Sequence, residues 1–212
     1  MKPIERGEIL SLADYETIRP RFRTRVIEEK KRRRVKLGPM ASVLFENRDS
    51  VLMQIQEMLR TERITREAAI KHEIDTYNEF IPGDRELSIT VMLEIDDKDE
   101  REKFLVDARG IESAFAVVVG SERAQGRTTP DRILPDRASA VIYLKFALSE
   151  GAMKAFASGA ALEVHHAAYK AKVDLPREVI AALVEDLEDS LRGPRNPGGV
   201  GGGAPDRGDF EG

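Results

Sequence analysis

Glu86-Leu87-Ser88-Ile89-Thr90-Val91-Met92-Leu93-Glu94-Ile95 is the stretch that decides the fold. Leu87, Ile89, Val91, Leu93 and Ile95 alternate with Ser88, Thr90, Met92 and Glu94. Successive side chains of extended backbone point to opposite faces, so this period of two predicts a half-buried strand. Going forward, Asp97 with Glu100 three residues later predicts a helix start, and Gly110 its end. A short apolar strand follows over 114–120, then a polar loop over 121–137. A second alternating strand spans 138–148, with Ala140, Ile142, Leu144 and Phe146 on one face. A short helix over 150–158, a strand over 161–173 and a helix over 177–191 complete the pattern. Residues 86–173 therefore spell β-α-β-β-α-β. The expected fold is α+β, an antiparallel sheet of four to five strands with a ferredoxin-like core.

Going backward, 11–34 reads as a helix with Leu12, Tyr15, Ile18, Phe22 and Val26 on one face. Residues 35–46 are β-like but interrupted by Gly38-Pro39, which places them at a sheet edge. Two helices are expected over 50–63, capped by Asp49, and from Thr65 to Phe80. One domain over 1–191 accounts for this pattern: a helical and edge-strand part, 1–84, packs on the ferredoxin-like part, 85–191. Residues 192–212 are rich in Gly and Pro and predict a disordered tail, because they cannot bury enough apolar surface to offset their ordering entropy.

The absence of cysteine excludes disulfides, thiolate zinc sites, directly ligated iron–sulfur clusters and a cysteine nucleophile. No apolar run reaches the roughly 20 residues that span a bilayer, and Met1-Lys2-Pro3-Ile4-Glu5-Arg6 carries no signal core, so the expected location is the cytoplasm. A net charge of -4 over 212 residues gives no global attraction to nucleic acid, so binding of that kind must be local. No glycine-rich nucleotide-binding motif is present.

Three features carry candidate chemistry. The first is basic: ten Arg and Lys residues between Arg19 and Lys36 face only Glu28 and Glu29, a local charge of +8. Arg23, Lys30, Lys31, Arg32, Arg33 and Arg34 are the candidate partner patch, for an acidic protein or for nucleic acid. Read as structure, the same cations form a solvated helix end and pair with the acidic segments 94–102 and 178–189. The structural reading weighs more. The second feature is polar: Glu46, Asn47, Arg48, Gln54, Gln56 and Glu57, joined by His72 and Glu73, offer oxygen and nitrogen ligands for a divalent metal. Their spacing matches no ligand motif, which favours a buried polar network. The third is the loop 121–137, whose Arg123, Gln125, Arg127, Thr128, Thr129, Arg132 and Arg137 have the donors to clamp an anion or to act as a lid, although surface loops are usually polar without function. His165 and His166 are adjacent in a predicted strand and so cannot jointly chelate one metal.

The residues Arg6, Ile9-Leu10 and Tyr15, the run 44–48, the run 54–60, and Glu73-Ile74 with Tyr77-Asn78 before Ile81-Pro82 resemble a bacterial family of unknown function, family 3501. The resemblance covers most of 1–190. Similar proteins tend to be encoded beside rubrerythrin-like and heterodisulfide-reductase-like iron–sulfur proteins, which implies a role near peroxide or electron-transfer metabolism. The expected function is a non-catalytic accessory protein that binds another protein, with a metal-binding protein or metal-dependent enzyme and a nucleic-acid binder as the alternatives.

Overall fold

The computed structural model describes residues 1–192, with side chains to residue 188. The expected tail lies, from residue 193 on, outside the described residues; Arg192 itself closes a helix. The elements in chain order are α1 (Leu12–Lys31), β1 (Arg34–Leu37), β2 (Ala41–Phe45), α2 (Arg48–Thr61), α3 (Glu67–Asn78), β3 (Glu86–Leu93), α4 (Lys98–Asp107), β4 (Phe115–Val119), β5 (Glu122–Gln125), β6 (Val141–Ala147), α5 (Glu150–Ala155), β7 (Ala161–His165), β8 (Lys170–Asp174) and α6 (Arg177–Arg192). Local signals set most boundaries. Ser11, Asp97 and Ser149 each accept a backbone N–H of the first turn that follows, as N-caps do. For α2 the cap is Asn47 rather than Asp49, because the Asn47 carboxamide accepts Ser50 N–H at 2.9 Å while Ser50 Oγ accepts Asn47 N–H at 3.0 Å.

The α+β class stands, but the ferredoxin-like order does not. The strands form two four-stranded antiparallel sheets, β1-β2-β3-β6 and β5-β4-β7-β8. β3 takes the hairpin strand β2 on one edge, with Val43 opposite Val91, and β6 on the other, with Ile89 opposite Leu144. Strand β4 departs to the second sheet, where it pairs with β7. Alternation fixes which face of a strand is buried and says nothing of which edge finds which partner. Two further segments differ. Residues 122–125 of the expected loop are β5, and the expected strand 161–173 folds back on itself at Ala167-Ala168, where His166 and Tyr169 exchange backbone hydrogen bonds of 2.9 and 3.2 Å.

The inward faces of both sheets enclose one apolar core, including Val43, Phe45, Ile89, Phe115, Leu144, Phe146 and Leu162. Val179, Ile180, Leu183 and Leu187 of α6 and Phe156 extend it. The sheets meet at two seams. At one, Arg127 and Lys145 exchange backbone hydrogen bonds of 2.9 Å, linking the chain after β5 to β6. At the other, the Tyr169 hydroxyl donates to the Leu37 carbonyl and accepts Met40 N–H at 3.3 Å, joining the start of β8 to the β1–β2 turn. Gly38 makes that second approach feasible. Its φ is +69°, and a Cβ there would lie 2.5 Å from the Tyr169 hydroxyl.

A second apolar cluster covers the outer face of the first sheet. Val51, Ile55 and Leu59 of α2 pack with Ile70, Ile74 and Tyr77 of α3 and with Ile4 and Ile9 of the N-terminal segment, against Tyr143 of β6. No helix is long and apolar enough to cross a membrane among the described residues.

Candidate functional site

The polar residues singled out from the sequence are dispersed by the fold. Glu46 leaves β2 on the outer face, buried, where its carboxylate accepts Thr90 Oγ1–H at 2.6 Å and the Ser50 hydroxyl. It locks α2 to the sheet. Arg48 points the other way and ties down the N-terminal segment, donating to both Glu8 oxygens at 2.5 and 2.6 Å and to the Lys2 carbonyl. Of the two glutamines on opposite sides of α2, Gln54 is exposed and bonds Tyr77, while Gln56 is buried and its Oε1 accepts Leu10 N–H at 2.7 Å. The Gln56 Nε2 has no partner.

Glu57 belongs to a different interaction altogether. It accepts Tyr15 O–H at 2.8 Å and a bidentate pair from Arg19 at 2.7 and 2.9 Å, docking α1 on α2. His72 is exposed on α3, and Glu73 is half-buried beside it. The expected metal set is therefore not brought together, and among the described residues no three His, Asp or Glu are grouped to hold a metal ion. The physical reason is that Glu46 follows β2 while Glu57 lies on α2, and each is already committed to donors on a different neighbour.

The Arg19 hydrogen bond, with help from the Tyr15 hydroxyl, holds the Glu57 carboxyl below its usual range against the effect of burial. A depressed carboxyl pKa contributes stability that is complete above the unfolded value, about 4.3, and is lost as pH falls through the folded value. We expect α1 to loosen from α2 below about pH 4, seen as faster amide exchange around Tyr15 than in β3. Uniform exchange across both segments would show that the pair does not govern acid lability.

Half of the candidate patch, Lys31, Arg32 and Arg33, is ion-paired. Arg25 pairs with Asp49 at 2.5 Å, Lys31 with Glu28 at 2.7 Å and Arg32 with Glu29 at 2.8 Å. Arg33 is buried and reaches both Glu29 and Asp186, and Lys36 pairs with Glu94, so the expected pairing with both acidic segments occurs. Arg21, Arg23, Lys30 and Arg34 have no carboxylate at ion-pair distance among the described residues. Lys30 and Arg34 line a groove of about 430 Å³ between the end of α1 and β1. Burial, chiefly, lowers the Lys30 pKa, the neighbouring Arg34 adds to that, and Glu46 opposes it.

One site was only half visible in the sequence. At the Arg127–Lys145 seam a cleft of about 270 Å³ opens on the outer face of the first sheet. Its wall is the stacked pair Phe80 and Tyr143, with centroids 4.2 Å apart and planes at 23°. The Arg132 guanidinium sits 4.4 Å from the Phe80 centroid and is held by Glu79 at 2.6 Å. Lys145 Nζ donates to the Ile81 carbonyl at 2.9 Å and pairs with Glu86 at 3.0 Å. The loop 121–137 signalled Arg127, Thr128 and Arg132 as anion donors; alternation in 138–148 put Tyr143 and Lys145 on the outer face. Nothing in the sequence joined them, because Phe80 enters from the end of α3.

His165 and His166 sit at the β7–β8 turn, where Ala168 N–H donates to His166 Nδ1 at 3.2 Å. Fold and site together define a two-sheet α+β protein whose outer face carries unneutralised cations at the α1–β1 junction and a cation-lined cleft at a sheet seam.

The chain belongs to the family described as "Protein of unknown function (DUF3501)", whose model matches residues 3–187. A crystal structure of a novel protein of unknown function from Burkholderia pseudomallei K96243 superposes with a TM-score of 0.82 at 28% identity, covering 88% of this chain and all of that one. No curated protein matches the chain.

Proposed function

We propose that this protein is a non-catalytic accessory subunit that docks an acidic partner protein on the cationic face running from α1 into β1. The observation that carries this reading is the residue of free charge. Arg21, Arg23, Lys30 and Arg34 have no carboxylate at ion-pair distance among the described residues, and they lie on and just after a helix that buries only Tyr15 and Val26. Arg23 and Lys30 are seven residues apart and share a helix face. A polar helix with a cationic strip presents charge outward, and complementary charge steers and orients an acidic partner. The resemblance noted above nominates a rubrerythrin-like or iron–sulfur redox protein as that partner.

Binding of a purified rubrerythrin-like protein, followed by biolayer interferometry at about 50 and 300 mM NaCl, tests this directly. We expect affinity to fall with salt and to drop about tenfold or more for Arg21→Glu with Arg23→Glu, exposed residues that make no hydrogen bond or ion pair among the described residues. Binding that survives charge reversal removes this surface. Absence of binding by that protein removes the redox assignment, and a salt-steep affinity for duplex DNA or RNA in its place supports the nucleic-acid reading.

A further inference from the structure

We infer that the cleft at the Arg127–Lys145 seam is a binding site for a small organic monocarboxylate. Arg127 and Lys145 are directly opposed on antiparallel chains and exchange both backbone hydrogen bonds. Like charges so placed repel and weaken the pairing they sit on. Lys145 is balanced by Glu86, but the exposed Arg127 side chain has no hydrogen-bond or ion-pair partner among the described residues. An unpartnered guanidinium at the edge of a cleft is a donor open to a ligand, and departures from local rules concentrate where a ligand completes the structure.

Charge within the cleft selects the ligand. Arg132 is offset by Glu79 and Lys145 by Glu86, leaving the single positive charge of Arg127. One carboxylate balances it, and a guanidinium fork matches a carboxylate bidentately. A phosphate dianion would leave excess negative charge beside Glu79 and Glu86. Thr128 lines the same cleft and can add a neutral donor, while Phe80 and Tyr143 supply an apolar wall for an organic body. A volume of about 270 Å³ falls just below the usual range for small-molecule pockets, so the ligand is small.

Isothermal titration of the full chain with benzoate at fixed ionic strength tests the assignment, with inorganic phosphate and chloride as competing anions. We expect saturable binding with a Kd of about 1 mM or tighter. Amide shifts should centre on Thr128 and Lys145. Arg127→Gln should weaken binding about tenfold or more without lowering the Tm, because its exposed side chain makes no hydrogen bond or ion pair among the described residues and its charge opposes that of Lys145. Thr128→Val gives a second, milder loss. No saturable benzoate binding by the wild type, or equal binding by Arg127→Gln, overturns the site. Phosphate that binds more tightly than benzoate overturns the carboxylate assignment and makes the cleft a phosphoryl site.

Discussion

Arg33→Met should lower the unfolding free energy by about 3–5 kcal/mol, seen as a shift of the urea midpoint with unchanged slope. Arg33 is 2% exposed at the turn between α1 and β1, and its guanidinium bridges Glu29 of α1 and Asp186 of α6. Removing it leaves the Asp186 carboxylate, with a side chain 13% exposed, without its cation in a poorly solvated place. Breaking one side of a buried pair costs more than the pair itself contributes. Replacing both sides, Arg33→Met with Asp186→Leu, should therefore recover most of the loss.

The pH dependence has a definite sign. Burial raises the Asp186 pKa more than Arg33 lowers it, so the folded state takes up a proton more readily than the unfolded one. Losing Arg33 raises that pKa further. The destabilisation is full above the folded pKa and shrinks as pH falls through it, so the Arg33→Met defect should diminish as the pH is lowered from neutrality. A loss below about 1 kcal/mol at neutral pH would mean that Arg33 behaves as a solvated surface cation.

Phe146→Ala should cost about 3–5 kcal/mol, the usual range for emptying a fully buried aromatic site. Phe146 is completely buried in β6, opposite Leu87 of β3. Its ring also lies under the chain that closes the seam, since a Cβ on Gly126 would come within 3.0 Å of it and 3.2 Å of the Phe115 carbonyl. A cavity there removes support from the Arg127–Lys145 bridge as well as from the core. The amide of Arg127, which donates to Lys145 across the seam, and that of Gly126, which donates to Phe115 beside it, should exchange faster than those of the β2–β3 pair. A loss below about 2 kcal/mol, with the seam still protected, would show that the surrounding side chains collapse into the space.

How far the sequence carried the fold is clearest at β3. Its alternation showed a strand and which side chains turn to the core, because side-chain direction in a strand is a local property. The expected half-burial is corrected, since β3 ends at Leu93 and Ser88 and Thr90 on its other face are buried too, on the side that α2 and α3 cover. The same reasoning placed α1, α2, α4 and the caps at Ser11 and Asp97. It did not place β4 in a second sheet, turn 161–173 into the β7–β8 hairpin or recognise β5 in four residues that are mostly exposed. Strand pairing depends on which edges meet after the helices have covered their faces, and that is settled by long-range packing.

For the candidate sites the division is similar. Composition and spacing determined that no cysteine chemistry is available, that Arg19 to Lys36 is locally cationic, and that loop 121–137 carries anion donors. Only the tertiary structure decided which cations stay free. Glu57 is taken by Arg19 and Tyr15, Glu46 by Thr90 and Ser50, and Asp186 by Arg33 across 153 positions of sequence. It also brought Phe80, Arg127, Arg132 and Lys145 to one cleft from three separate segments. The sequence determined which residues carry charge and which faces are apolar, since those follow from side-chain type and a local period. Which charges are neutralised and which faces enclose a space depended on contacts between distant segments, and the chain makes those only when both sheets have closed on their common core.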